Sequence, residues 1–324
     1  MNIHSAIPAP PGSGQAPDFG DLPAPVVPQH VQRYEKGQGF VGTVDDVVAA
    51  EVPVALVFNG ISHAVMMATP QDLEDFALGF ALSEGLVDTP ADVRDIVCTA
   101  SRTCADDALD LPAGTQACEV HLEVASHCFA RLKDRRRALA GRTGCGVCGI
   151  DSLEGLDLEP ERVAVPDWLQ GLSADAVLRA LSGLPALQPL NRLTGAVHAA
   201  GWSLPDGTLA EVREDVGRHN ALDKLIGRLA RTGRLRFGSG GSVLQAGLAA
   251  PQPEPGFVAM SSRASYELVR KCARLQLPAL ATISAPTSLA IRIAERAQVQ
   301  LWGFCRDPRA VSYTHLTLPT ILLV

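Results

Sequence analysis

Apolar positions along the chain switch between a period of two and a period near 3.6, and each switch marks an element. The run PVALVFNGISHAVMMAT, residues 53–69, is strand-like on both sides of Asn59-Gly60, the strongest short hairpin signal in the sequence. TPQDLEDFALGFALSEGLV follows with a helical pattern. Pro70 stands early, Asp72, Glu74 and Asp75 fill the first turn, and Leu73, Phe76, Leu78, Phe80 and Leu82 supply apolar faces. ACEVHLEVA, residues 117–125, alternates as a half-buried strand. His121 falls on the face opposite Val120 and Leu122 and reads as a solvated strand histidine.

From about Pro185 the pattern changes. GAVHAAGWSL and TLAEVRE are strand-like and are joined by the turn Pro205–Gly207. EDVGRHNALDKLIGRLA is helical by period, with Val216, Leu222, Leu225, Ile226 and Leu229 on one stripe. Strands and helices then alternate: GFVAMS, ASYELVRKCARL, ALATIS, TSLAIRIAERA and VQLWGF. Three strands with helical crossovers imply a parallel sheet covered on both faces, hence an α/β class with three layers.

Composition divides the chain further. Residues 1–30, rich in Pro, Gly and Ala, read as a disordered leader. Residues 31–140 form an N-terminal α+β region, 141–184 a mobile cysteine loop and linker, and 185–310 the α/β domain. The last stretch, 311–324, ends in the uncharged SYTHLTLPTILLV and reads as a non-native tail. The net charge of −7 argues against a general nucleic-acid binder. No run reaches about 18 apolar residues, so no membrane partner is expected, and no signal peptide is evident. Eight cysteines in 324 residues are too dilute for a disulfide scaffold and suit a reduced cytoplasmic protein.

Two of those cysteines stand apart. GRTGCGVCGI places Cys145 and Cys148 three apart among four glycines, just after the basic run RLKDRRR. Such a run suits neither a helix nor a strand interior. A structural zinc site usually needs a second such pair or two closely spaced histidines, and no second C-x-x-C exists, so no zinc is expected. A thioredoxin-like pair would open a helix, and here Gly149 follows directly. A thiol on a swinging arm remains. Its thiolate can hold a sulfane sulfur as a persulfide, the second thiol can discharge it, and Arg135, Arg136, Arg137 and Arg142 favour ionisation.

Two further stretches carry chemistry. In EDVGRHNALDK, Glu214 or Asp215 can cap a helix whose first turn holds Gly217, at a cost of about 1 kcal/mol against alanine. A close approach by another group would explain that glycine; His219, near the helix N-terminus, is a candidate for the crevice, while Asp223 and Lys224 read as a solvated face. The turns MSSRAS and SAPTS each end a parallel strand and start a helix. Ligands collect at that edge of such sheets, and Ser262, Arg263 and Thr287 offer hydroxyls and a guanidinium to a phosphate.

The motifs GRTGCGVCG, GAVHAAGW, EDVGRHNALDKLIG, SSRASYELVRK, SAPTSLAI and LWGFCR, in this order, resemble the FdhD family of formate dehydrogenase accessory sulfurtransferases. The resemblance covers about residues 31–310. It implies a cytidine-deaminase-like three-layer α/β/α sandwich lacking the deaminase zinc motifs, since EDVGRHN is not H-x-E. It implies a cytoplasmic sulfur carrier that takes sulfur from a cysteine desulfurase onto Cys145, with Cys148 as its partner. The acceptor would be the molybdenum bis(molybdopterin guanine dinucleotide) cofactor destined for formate dehydrogenase. The family's cofactor segment matches Phe304, Cys305, Arg306, Asp307, Pro308 and Arg309. A cofactor-binding chaperone and a thiol-disulfide oxidoreductase stay open beside this reading, as does a homodimer.

Overall fold

The computed structural model describes residues 22–102, 116–138, 159–238 and 250–314. An antiparallel ribbon, β1 (Val26–Glu35) with β2 (Gly39–Ala49), leads the chain. A four-stranded sheet follows, built from β3 (Val52–Phe58), β4 (Ile61–Ala68), β5 (Val93–Arg102) and β6 (Gln116–Val124) in the order β4-β3-β6-β5. Phe58 pairs with Ile61 across a two-residue turn in which Asn59 and Gly60 hold φ of 45° and 77°. Both left-handed residues match the twist that a tight hairpin requires. The Asn59 side chain also donates to the Val124 carbonyl and accepts the Val124 amide, pinning the turn to β6.

The helix α1 (Leu73–Ser83) packs on this sheet and against α5 (Arg218–Arg231). The α1–α5 crossing is backbone-close. A Cβ on Gly79 would lie 1.7 Å from the Asp223 carbonyl oxygen, and one on Gly227 1.9 Å from that of Asp75. The second sheet has six strands: β7 (His198–Ser203), β8 (Leu209–Asp215), β11 (Phe257–Met260), β12 (Ala279–Thr282), β13 (Gln300–Arg306) and β14 (Arg309–Ser312), after the short pair β9 (Leu235–Arg236) and β10 (Gln252–Pro253). Its order is β14-β13-β12-β11-β7-β8, with β11, β12 and β13 parallel. The crossovers are α6 (Tyr266–Arg274) and α7 (Ser288–Ala297).

Period-two alternation decides what each face of the six-stranded sheet meets. Ala200, Trp202, Val258, Met260, Leu280 and Leu301 join the helices α5, α6 and α7, and through them the core of the four-stranded sheet. Ala199, Phe257, Ala259, Ala279, Ala281 and Cys305 face the other way, onto α3 (Ala174–Gly183). The three-layer α/β expectation is met, and one continuous core joins it to the N-terminal region. The other α-helices among the described residues are α2 (Ser126–Ala138) and α4 (Pro189–Thr194). Among the described residues, no helix is long and apolar enough to cross a membrane.

Several sequence boundaries move. The leader does not extend to residue 30: β1 begins at Val26, with Pro28 opposite Val47 in a ribbon that is all edge, where proline is tolerated. The linker does not extend to 184. Val163 is buried in the main core, and Val177, Ala180 and Leu181 of α3 seal the outer sheet face. The tail reading fails for residues 311–314. Val311 and Ser312 pair with β13, and the Thr314 hydroxyl accepts from the Leu301 amide at 2.8 Å and donates to the Val299 carbonyl at 3.1 Å. Residues 1–21 and 315–324 lie outside the described residues.

Candidate functional site

The carboxyl ends of the parallel strands bring three of the sequence segments side by side. The turns after β11 and β12 run on together beyond the sheet: the Ser284 amide donates to the Ser262 carbonyl and the Thr287 amide to the Ala264 carbonyl. The Phe304 amide donates to the Ser284 carbonyl, so the end of β13 joins the same edge. There a pocket of about 450 Å³ is lined by Ile283, Ser284, Phe304, Arg306, Pro308 and Arg309. Phe304 holds φ of 51°, a left-handed value that costs an ordinary residue on the order of 1–2 kcal/mol. That kink breaks the β13–β14 register between Gly303 and Arg306 and presents the ring, 38% exposed, at the mouth. The Arg309 guanidinium lies over this ring, 5.1 Å from its centroid.

Other expected site residues divide by where they point. Cys305 alternates inward, 1% exposed against α3, and does not line the pocket. Asp307 is exposed in the turn and joins Pro308 through a cis peptide. The Thr287 hydroxyl accepts from the Ala290 amide as an ordinary N-cap of α7. Ser262 is buried, and its hydroxyl donates to the Arg263 carbonyl. Arg263 is exposed at the edge.

His219 stands in the first turn of α5. Its Nε2 lies 3.3 Å from Ser265 Oγ and 3.3 Å from Glu267 Oε2, at the start of α6. Hydrogen bonding to His219 holds the Glu267 carboxyl down at about 2, against the opposing effect of burial. Gly217 is not in the first turn of α5 as expected. It is the N-cap, with extended φ of −99°, so it costs no helix stability. Crowding explains it instead: a Cβ there would meet Asn220 Nδ2 at 2.9 Å.

Asp223 and Lys224 are not solvated. Lys224 Nζ lies 2.7 Å from Asp215 Oδ2, with both side chains fully buried. The same oxygen accepts from the Thr69 amide and hydroxyl, while Asp215 Oδ1 accepts from the Gly217 amide and Asn220 Nδ2. Thr69 is brought in by the N-terminal sheet, 146 residues away in sequence, which is why the local pattern misreads this pair. Asp215 thus fixes the start of α5 and the direction of Arg218 and His219.

Two polar residues at this edge, His198 and Arg218, were not singled out in the sequence. His198 opens β7 opposite Asp215, and burial first, then the Arg218 charge, lowers its pKa. Arg218 is itself lowered by burial and by the neighbouring Arg263, partly offset by Glu267. Its Nε is buried without a hydrogen-bond partner. Two guanidiniums near enough to repel one another in an acidic chain suit an anion. Only the clustering of GRHN in sequence hinted at Arg218.

Cys145 and Cys148 lie outside the described residues, as does Arg142, and the side chains of Arg135, Arg136 and Arg137 are also outside them. The thiols that are described are poor nucleophiles. Burial pushes Cys118, Cys128 and Cys305 up to about 11 and Cys98 and Cys272 up to about 12.

Residues 49–318 match the model of the FdhD/NarQ family. A sulfur carrier protein FdhD from Burkholderia cenocepacia is 50% identical over 299 residues, covering 92% of this chain and 98% of that protein. One from Chromobacterium violaceum is 55% identical over 269 residues, covering 83% and 88%. A crystal structure described as a putative formate dehydrogenase accessory protein from Desulfotalea psychrophila superposes with a TM-score of 0.59 at 20% identity, over 90% of this chain and 98% of that one. A family match over most of the chain, with relatives at half identity or better, shows that this chain belongs to the FdhD/NarQ family.

Proposed function

We propose that the protein is a sulfur carrier that serves formate dehydrogenase, loading sulfur on Cys145 and delivering it to a molybdenum bis(molybdopterin guanine dinucleotide) substrate at the strand edge. The names of the half-identical relatives support the sulfur-carrier reading. The observation that carries the substrate reading is the edge itself: a 450 Å³ pocket with Arg306 and Arg309 in its wall, and Arg263, which repels Arg218, on the neighbouring turn of the same edge. Cationic donors there suit a diphosphate, and the Phe304 ring offers a stacking face for a planar base.

In loading, the Cys145 thiolate attacks the terminal sulfur of a desulfurase persulfide, and the desulfurase thiolate leaves. In discharge, Cys148 attacks Cys145 Sγ, the terminal sulfur leaves as hydrosulfide toward the substrate, and a dithiol reductant reopens the resulting disulfide. Burial raises all five described thiols, which disfavours them as nucleophiles and supports placing the sulfur on the glycine-flanked pair Cys145 and Cys148. The test is intact-mass spectrometry after incubation with a cysteine desulfurase and cysteine. A gain of one sulfur atom, removed by reductant and lost in Cys145→Ala, supports the reading. Unchanged loading in Cys145→Ala overturns the assignment of loading to Cys145. Formation of a Cys145–Cys148 disulfide without any sulfur gain favours the oxidoreductase.

A further inference from the structure

A second cluster of ligating side chains lies away from the strand edge, where the turn Pro90–Asp92 before β5 meets the start of α2. Asp88, Asp92, His127 and Cys128 each offer one donor atom, and these atoms all fall within 4.8 Å of one another. His127 Nε2 is 3.2 Å from Cys128 Sγ and 3.4 Å from Asp92 Oδ1. Those spacings are close to the edges of a small tetrahedron around an ion with bonds of about 2.0–2.3 Å.

Asp88 points to a missing partner. Its side chain is fully buried, and Oδ2 is taken by Arg131 Nη1 at 3.0 Å. The other oxygen, Oδ1, is buried with no hydrogen-bond partner. A carboxylate oxygen left so costs about 1–3 kcal/mol or more. A protonated His127 would balance charge through Asp92 but would leave Asp88 Oδ1 orphaned. His127 Nε2 lies 4.0 Å from Asp88 Oδ2, and a divalent ion between them would draw on a carboxylate whose other oxygen is unpartnered.

We propose that Asp88, Asp92, His127 and Cys128 form a structural site for a borderline first-row divalent ion of the zinc type. One nitrogen, one sulfur and two oxygens suit that class, and four protein ligands leave no position for substrate. The outer contacts match too. Arg131 grips Asp88 Oδ2 and approaches Cys128 Sγ at 3.6 Å, and Asp92 Oδ2 accepts from the Thr89 amide. Two carboxylates, one thiolate, Arg131 and the ion sum to zero charge. Binding releases the Cys128 proton to solvent as the sulfur–metal bond forms. The ion would tie α2 to the β5 end of the four-stranded sheet.

The test uses the full-length chain with Cys145→Ser and Cys148→Ser, which removes the other cysteine pair, titrated with cobalt(II). One ion per chain is expected, with the strong visible bands of tetrahedral cobalt and a thiolate-to-cobalt charge-transfer band. His127→Ala, whose ring is 56% exposed and whose loss leaves the core intact, should weaken binding about tenfold or more. Cys128→Ser should abolish the charge-transfer band. Failure of the double-serine chain to bind cobalt overturns the proposal. A charge-transfer band that survives Cys128→Ser, or affinity unchanged in His127→Ala, also overturns it.

Discussion

Replacing Lys271 with methionine should remove a large share of the protein's stability, and the loss should depend on pH in a stated direction. Lys271 Nζ is buried between Asp223, at 2.9 and 3.0 Å to the two oxygens, Glu84 at 2.8 Å and the Ser83 hydroxyl at 2.8 Å. Methionine fills much of the volume but leaves Asp223, 1% exposed, without its cation. Breaking a buried pair from one side costs about 3–5 kcal/mol. With a urea slope of about 3 kcal/mol per molar, the unfolding midpoint falls by about 1–1.7 M. Burial raises the Asp223 pKa, and Lys271 opposes that rise. A carboxyl raised in the folded state contributes stability that is full below its unfolded value and is lost as pH rises through its folded value. Removing Lys271 raises the folded value further, so the deficit of the variant is largest near neutral pH and shrinks as acid protonates Asp223. Glu84 works oppositely in the native chain. Its pKa is lowered, chiefly by Lys271, so its contribution is present above the unfolded value and fades as pH falls through the folded one. Urea melts at several pH values, with Asp223→Asn and the double variant closing a cycle, provide the assay. An unchanged midpoint, a deficit that grows in acid, or strict additivity in the cycle would refute the reasoning.

Gly79→Ala places a methyl group 1.7 Å from the Asp223 carbonyl, so α1 and α5 must separate; a loss of about 1–3 kcal/mol or more is expected in thermal melting, and an unchanged melting temperature would contradict the crossing. Arg306→Ala and Arg309→Ala, both exposed and outside the core, should each weaken guanosine diphosphate binding in calorimetry by about tenfold while the melting temperature holds; native affinity in both variants would remove the pocket from the site. His219→Ala should leave the melting temperature nearly unchanged, cut single-turnover sulfuration of the cofactor and let the Glu267 carboxyl rise from about 2 toward an ordinary value, followed by carboxyl NMR; a large fall in melting temperature with normal turnover would return His219 to a packing role.

What the sequence revealed and what it hid follow from the range of the interactions involved. The Asn59-Gly60 hairpin and the alternating strands and helices after Gly256 are local, and the structure reproduces both. The site segments were legible as motifs, yet the left-handed kink at Phe304 breaks the alternation of LWGFCR, so that Cys305 turns onto the α3 face, opposite Leu301, while Phe304 and Arg306 stay exposed. The motif groups six neighbours; the kink puts Cys305 in the core against α3. The burial of Asp223 and Lys224 was not legible, because their partners Ser83 and Thr69 are 140 and 155 residues away. A charged pair on a helix looks solvated until a second helix crosses it at glycine contact. The early start of β1 was hidden by proline, which signals disorder in composition but is tolerated in an exposed ribbon.

The buried charges also explain how the strand edge is held in place. Arg218 and His219 occupy the first turn of α5, a place where helices commonly fray. Apolar packing alone would hold the middle of α5 and leave its first turn loose, since hydrophobic contact is not directional. Asp215 supplies direction. It accepts from two residues of α5, the Asn220 amide group and the Lys224 ammonium, from the Gly217 N-cap and from Thr69 of the other region. Each bond fixes an angle as well as a distance. The desolvation of two charges is offset only because every lone pair of Asp215 is used, and an apolar pair of equal volume could match the stability. It could not fix the rotation of α5 about its axis. That rotation brings His219 within reach of Ser265 and Glu267. The N-terminal region therefore acts on the strand edge from behind, through Thr69, without contributing a side chain to the pocket wall.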